Sequence, residues 1–418
     1  MSKEAVFQCL LVSVGIASLL AFRVTLEAAD SEGGGTMSAT KVVVNAGQHE
    51  RMVCPVRVDV GRAIADLGGV LLVDEQDGAS IAAQIAEENG KYILSFVVPR
   101  LSAGQSASYS IRKGTAELPS VAVAKKEEGT IDVTVGGVPL TAYHYSAQYK
   151  KPFLYPVIGT DGAYLTRRWP IEDIAGEPHD HVHQKSCWVA HGAVNGIDFW
   201  AEGKGSGTQR TDEIVVAQSG DVYGLIHARN SWVDESGKKV ISEERRYMFY
   251  NTPPELRIFD LEVTLTATEG DAKFGDTKEG GIVAFRVNPV INGERGGEIR
   301  NSSGAVGEDE AWGKRASWCD YSGAINNKKR GIAVFDNPMN PRYPACWHVR
   351  GYGLMAANYF GYSNFKSTYE KRGDFVLPAG ESMTFRYRII LHDGNAVEGN
   401  VADRYTDYIV QPAVKVSP

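Results

Sequence analysis

The sequence predicts an all-β protein: a large two-sheet antiparallel β-sandwich preceded by a small β-sandwich domain. Three observations carry that prediction. Glycine supplies 45 of 418 residues and aromatics 10%, against roughly 7% glycine in an average protein, so turns and strand-forming rings are both abundant. Apolar residues alternate with polar ones at Phe259, Leu261, Val263 and Leu265, and again at Met383, Phe385, Tyr387 and Ile389. A period of two turns one face of a strand to a core and the other to water. Helical periodicity is nearly absent. The formal charge of −7, from 51 acidic and 44 basic residues, lacks the basic footprint of a nucleic-acid binder, so no nucleic-acid partner is expected.

Each segment has its own justification. Residues 1–29 read as a secretory signal: Lys3, an uncharged apolar run over 5–22, then small residues at Ala28 and Ala29, the order a cleavable leader needs. A retained anchor is the alternative, because the run lies at the lower limit for spanning a bilayer. The expected location is therefore exported, periplasmic or extracellular, with no stable span after cleavage. Residues 30–39, with their SEGGG stretch, read as a flexible linker. Residues 40–128 read as a small sandwich of immunoglobulin-like size, ending in KKEEG. Inside it, Ile81 and Ile85 have helical spacing, but the strand-like runs at 70–73 and 92–98 favour a strand. Gly136-Gly137 marks a hairpin, and residues 129–415 form the large sandwich, with no repeat of propeller length. Cys54, Cys187, Cys319 and Cys346 remain after the leader and contain no C-x-x-C pair. They are either buried free thiols or a source of one disulfide.

Chemistry concentrates at residues 167–200. His179, His181, His183 and His191 place four of nine histidines within 13 residues. On an extended chain alternate residues share a face, about 6–7 Å apart. Such imidazoles can divide proton transfer, with Asp180 or a nearby carboxylate orienting one ring. They can also ligate a divalent metal, for which His181 and His183 are the candidates as an H-x-H pair; the cofactor is otherwise unknown. Trp188 and Trp200 suit stacking on a sugar or packing in a core. Two more clusters compare with this one. FGDTKEGG at 274–281 offers Glu279 as a carboxylate base beside a turn. Residues 344–361 offer Trp347, His348, Arg350, Tyr352 and Asn358, a set suited to hydroxyl or carboxylate recognition. No G-x-S-x-G, Walker, H-E-x-x-H or dinucleotide motif occurs, which argues against the corresponding hydrolase, ATPase, protease and oxidoreductase classes.

Several blocks, in order, resemble the PmoA-like domain family: PFLYPVIGTDG (152–162), TRRWP (166–170), DHVHQKSCWVAHGAVNGIDFW (180–200), GDTKEGGIVAFRV (275–287) and WHVRGYGLMAANYFG (347–361). The resemblance covers roughly residues 130–410. Asp180, His181, His183, Ser186, Trp188, His191, Asn195, Asp198 and Trp200 match its main motif, whereas Val182, Gln184, Lys185 and Cys187 depart from it. The family's label, methane oxygenase, implies a membrane copper complex for which this chain has no second spanning segment. What the resemblance implies is architectural: a sandwich like those of galactose mutarotases and polysaccharide lyases, with polar side chains on a concave sheet face that holds a sugar.

The expected function is an exported carbohydrate-active enzyme that eliminates or isomerises at a sugar carbon. His181, His183, His191 and Glu279 would do acid/base work, and Arg168, Trp188, Asn195, Trp200, Trp347, His348, Arg350, Tyr352 and Asn358 would bind a small carbohydrate or polysaccharide. A non-catalytic sugar-binding protein and a metal-dependent enzyme are the alternatives.

Overall fold

The two stretches with the clearest alternation pair with each other. In the computed structural model, which describes residues 40–115, 120–365 and 372–417, they are the antiparallel strands Leu256–Thr266 and Ser382–Asp393. Phe259 faces Ile389, Leu261 faces Tyr387, Val263 faces Phe385 and Leu265 faces Met383, and all eight are buried in the main core. Burying a side chain of this size contributes roughly 1.5–3 kcal/mol. The residues between them pair on the opposite face. Arg388 donates to both Asp260 oxygens at 2.7 and 2.9 Å, Arg386 lies 2.9 Å from Glu262, and the Thr264 and Thr384 hydroxyls are 2.9 Å apart.

These strands lie at the centre of an eight-stranded antiparallel sheet running from Thr208–Gln218 at one edge to Glu298–Asn301 at the other. A second eight-stranded sheet has the order Cys346–Arg350, Leu354–Asn358, Gly280–Arg286, Cys187–His191, Phe153–Val157, Val138–His144, Thr130–Val135 and Val121–Lys126. One apolar cluster takes residues from both sheets, which makes them the two layers of a large sandwich. The all-β class and the two-sheet body are therefore as expected. Gly136-Gly137 closes the hairpin between Thr130–Val135 and Val138–His144, with Val135 opposite Val138, and residues 80–88 form a strand.

The amino-terminal region differs from the two-sheet unit expected there. Its strands form one seven-stranded sheet, ordered Arg51–Val60, Lys91–Leu101, Ser80–Glu88, Val70–Asp74, Ser106–Lys113, Lys41–Asn45 and Ala413–Ser417. Six of them contribute buried residues to a single cluster, and Val414 and Val416 of the seventh pack against it. One sheet can enclose a core only by curling toward a barrel. The last strand comes from the far end of the chain, while Val121–Lys126, expected in the small unit, belongs to the large sandwich. Sequence proximity misassigned both, because strand partners are chosen by edge availability rather than by chain order. Cys54, Cys187 and Cys319 are buried free thiols, Cys346 is fully buried as well, and burial pushes Cys54 up to about 12. The expected signal and linker, residues 1–39, lie outside the described residues. Among the described residues no helix is long and apolar enough to cross a membrane.

Candidate active site

Strand parity on the second sheet separates a core face from a site face. Cys187 and Val189, Val283 and Phe285, Trp347 and Val349, and Met355 and Ala357 point into the sandwich core. Their neighbours must then point outward. Trp188, Ala190, Ala284, Leu354 and Ala356 form a separate apolar layer there with Phe153, Tyr155 and Trp200. The same parity turns His348 and Arg350 outward. Above this face opens a cleft of about 550 Å³ lined by His181, His183, Gln184, Asp198, Trp200, Ala201, Lys278, Glu279, Glu294, Glu308, His348, Arg350 and Tyr352.

The loop before Cys187 is held by two fully buried guanidinium groups. Arg167 donates to the backbone carbonyls of Asp180 (2.9 Å), His181 (3.0 Å) and Gln184 (3.1 Å), and also to the Asp180 carboxylate. Arg286 donates to both Asp180 oxygens at 2.9 and 3.0 Å and to Gln184 Oε1 at 2.6 Å. Two buried like charges require a counter-charge, and Asp180 provides it. This anchoring holds His181 at φ 42 and Ser186 at φ 50, left-handed conformations that cost a non-glycine residue roughly 1–2 kcal/mol each.

His181 Nδ1 lies 2.6 Å from Asp180 Oδ2. Burial opposes ionisation of Asp180, but its hydrogen bond from His181 and the charges of Arg286 and Arg167 outweigh that and leave its pKa below the usual range. A carboxylate only accepts, so Nδ1 carries the proton and the Nε2 lone pair is free to act as a base. Tyr352 stacks on the imidazole, with centroids 5.0 Å apart at 18°, and the Arg286 guanidinium lies 4.3 Å from the Tyr352 ring. His181, Asp180, Arg286 and Tyr352 thus close a ring of contacts that fixes the imidazole's orientation.

The two other cleft imidazoles are neutral. His183 sits edge-on to His181 at 5.7 Å. Burial lowers its pKa to about 4, helped by the charge of Lys151. Beneath it, buried Lys151 and Lys185 share the Glu202 carboxylate, Lys151 at 2.9 Å. Burial brings Lys151 down to about 8. His348 is 2% exposed, and neither ring nitrogen meets a partner at both hydrogen-bond distance and angle. Burial, then Arg350 and Lys278, takes it to about 3, despite a Lys278 backbone group that favours its protonated form.

Glu279 sits in a turn held from several sides. Asn358 Nδ2 donates to the carbonyls of Thr277 (2.9 Å) and Lys278 (3.1 Å), and Gly192 N donates to Glu279 O at 2.6 Å. A Cβ at Gly192 would lie 2.6 Å from that oxygen, and one at Gly280 would lie 2.5 Å from His191 Nδ1. Both positions therefore need glycine for this close approach.

Of the residues expected at the site, His181, His183, Glu279, Trp200, His348, Arg350 and Tyr352 line the cleft. The others do not. His191 has the inward parity of Val189; it is 1% exposed, held by Gly275 O at 2.9 Å between Phe274 and Phe360, and taken to about 4 by burial. It packs behind the Glu279 turn and is removed from the catalytic set. Trp188 belongs to the apolar layer, and Trp347 is a core residue whose indole donates to Ala316 O. Arg168 pairs with Glu172 and lies over the Tyr164 ring. Asn195 is an exposed turn residue that accepts from Lys273 N at 2.7 Å, and Asn358 supports the Glu279 turn from behind. His179 stacks on Trp169 and lies 2.9 Å from Asp173.

Arg167, Arg286, Glu294, Glu308 and the Lys151–Lys185–Glu202 group were missed from sequence. Arg286 alone sits inside an otherwise apolar strand run, GGIVAFR, whereas the others lie outside strands and carry no such signal. Among the described residues no group of three or more His, Cys, Asp or Glu side chains is placed to hold a metal ion. One nitrogen of the H-x-H pair is already committed to Asp180.

Residues 130–406 match the model of a family of unknown function, DUF6807, and the chain belongs to that family. No curated protein matches the chain. Among solved structures it is similar to a protein in glycosyl hydrolase family 38 from Enterococcus faecalis, with 9% identity and a TM-score of 0.41, covering 91% of this chain and 47% of that one. It is also similar to an alpha-mannosidase from Enterococcus faecalis V583, with 9% identity and a TM-score of 0.40, covering 91% and 46%. The chain thus spans about half the length of the solved structures it matches.

Proposed function

We propose that this member of the DUF6807 family is an exported enzyme that moves protons on a carbohydrate, by elimination or isomerisation. The observation that carries this reading is the Asp180–His181 pair, 2.6 Å apart, with Nε2 uncommitted, in the lining of the cleft. His181 acts as base, and its Asp180 partner stabilises the imidazolium that forms. Glu279, in a turn pinned by Asn358 and Gly192, is the second proton-transfer group. Neutral His183 and the Tyr352 hydroxyl face the same cleft and hydrogen-bond the ligand. The resemblance to the PmoA-like family supports the reading only through its polar sheet face, and the leader-like residues 1–29 support export.

The test is turnover of a panel of mono- and oligosaccharides, followed by proton exchange at ring carbons and by new unsaturated ends, with the native chain and with His181→Gln. A drop of about 10²–10⁴-fold in the variant, with an unchanged melting temperature, is the expected result for loss of a general base. Equal rates in the two proteins would remove His181 from the base role, and binding of a glycan with no turnover in either would replace the enzyme with a binding protein.

A further inference from the structure

Resting on the reading of this cleft as a sugar site, we infer that it takes an uncharged sugar and turns away sugar acids. The cleft wall carries four carboxylates, Asp198, Glu279, Glu294 and Glu308, against two cations, Lys278 and Arg350. Both cations already have anionic partners. Lys278 pairs with Glu279, and Arg350 lies 2.9 Å from Glu308, which also accepts from Gly351 N. Glu294, on the rim, has no ion pair among the described residues. On the wall itself a substrate carboxylate would meet more carboxylates than cations, and the buried cations behind it, Lys151 and Lys185 on Glu202 and Arg167 and Arg286 on Asp180, are held by carboxylates of their own.

The buried polar atoms that the wall leaves without a partner belong to neutral groups. Neither nitrogen of His348 has one, and neither does Trp200 Nε1, although both residues are almost fully buried. An imidazole held in its neutral form offers one donor and one acceptor, and an indole offers one donor. Hydroxyl groups, which donate and accept, are the chemistry that matches them. The same census bears on the reaction. Elimination beside a carboxylate needs a cation to take up charge developing on that group, and the cleft has none to spare. Proton transfer on a neutral ring needs none, so isomerisation is the class this cleft fits.

The experiment compares matched pairs, the methyl glycosides of glucose, galactose and mannose against those of the corresponding uronic acids, by calorimetry at low salt. In at least one pair the neutral member binds about tenfold or more tighter, which is 1.4 kcal/mol. Glu308→Gln, which releases Arg350, and Glu294→Gln, at an exposed position that does not threaten folding, each narrow that ratio at least about threefold. The inference is overturned if the acid binds as tightly as its neutral partner, if neither variant changes the ratio, or if no pair binds at all. A neutral sugar that binds without ever being turned over sinks the enzyme reading and leaves this one standing.

Discussion

His181 and His191 are ten residues apart in one motif, and each has a ring nitrogen 2.6–2.9 Å from an oxygen acceptor. Their surroundings differ. His181 belongs to an irregular loop whose backbone is hydrogen-bonded to buried arginines, and its acceptor is an ionised carboxylate. His191 belongs to the strand that follows, its acceptor is a backbone carbonyl, and Phe274 and Phe360 enclose it. One environment leaves a basic nitrogen at a cleft. The other makes the ring part of the packing behind that cleft. A dense run of histidines therefore says little about chemistry until each ring is assigned to a loop or to a face of a strand.

The contrast can be broken most forcefully at Asp180. Replacing it with alanine leaves Arg167 and Arg286 buried without their counter-charge, and is expected to cost about 3 kcal/mol of stability. Denaturant titration measures it. A loss under 1 kcal/mol would mean the loop is not held by this charge set.

Acid sensitivity probes the packed ring next. The unfolded chain binds a proton at His191 below pH 6.5, whereas the folded ring resists protonation until about 4. Stability is therefore lost as pH falls through that window, by on the order of 3 kcal/mol for one such ring. His191→Gln is expected to flatten the stability profile between pH 6.5 and 4. An unchanged profile would mean the ring is hydrated rather than packed.

Gly192→Ala sharpens the comparison from behind the cleft. The added methyl meets Glu279 O, so a loss of roughly 1–3 kcal/mol is expected, with a fall in turnover as the Glu279 turn shifts. The smallest effect belongs to Asn195→Ala, in an exposed turn at φ 51. About 1 kcal/mol of stability should be lost there, with turnover per folded molecule unchanged. A tenfold loss of turnover would return Asn195 to the site.

Part of the site was legible in the residues. Once WHVRGYGLMAAN is read as two strands, parity alone separates Trp347 and Val349 from His348 and Arg350, and an aromatic on the core side makes its neighbours outward. Asp180 as the partner of an imidazole was legible for the same reason, since the two are adjacent. Arg286 was not: inside GGIVAFR it looks like an edge residue. Only the return of the 178–184 loop over that strand buries it against Asp180.

By itself, then, the sequence determined the strands, their two-faced character and the concentration of imidazoles ahead of residue 200, because each of those is local and follows from a period of two. Tertiary structure alone decided which imidazole keeps a free nitrogen, which carboxylates from residues 279, 294 and 308 reach the same cleft, and that the final strand closes the amino-terminal sheet. These depend mostly on contacts between residues distant in the chain, where burial and charge balance choose among partners that local pattern leaves equivalent.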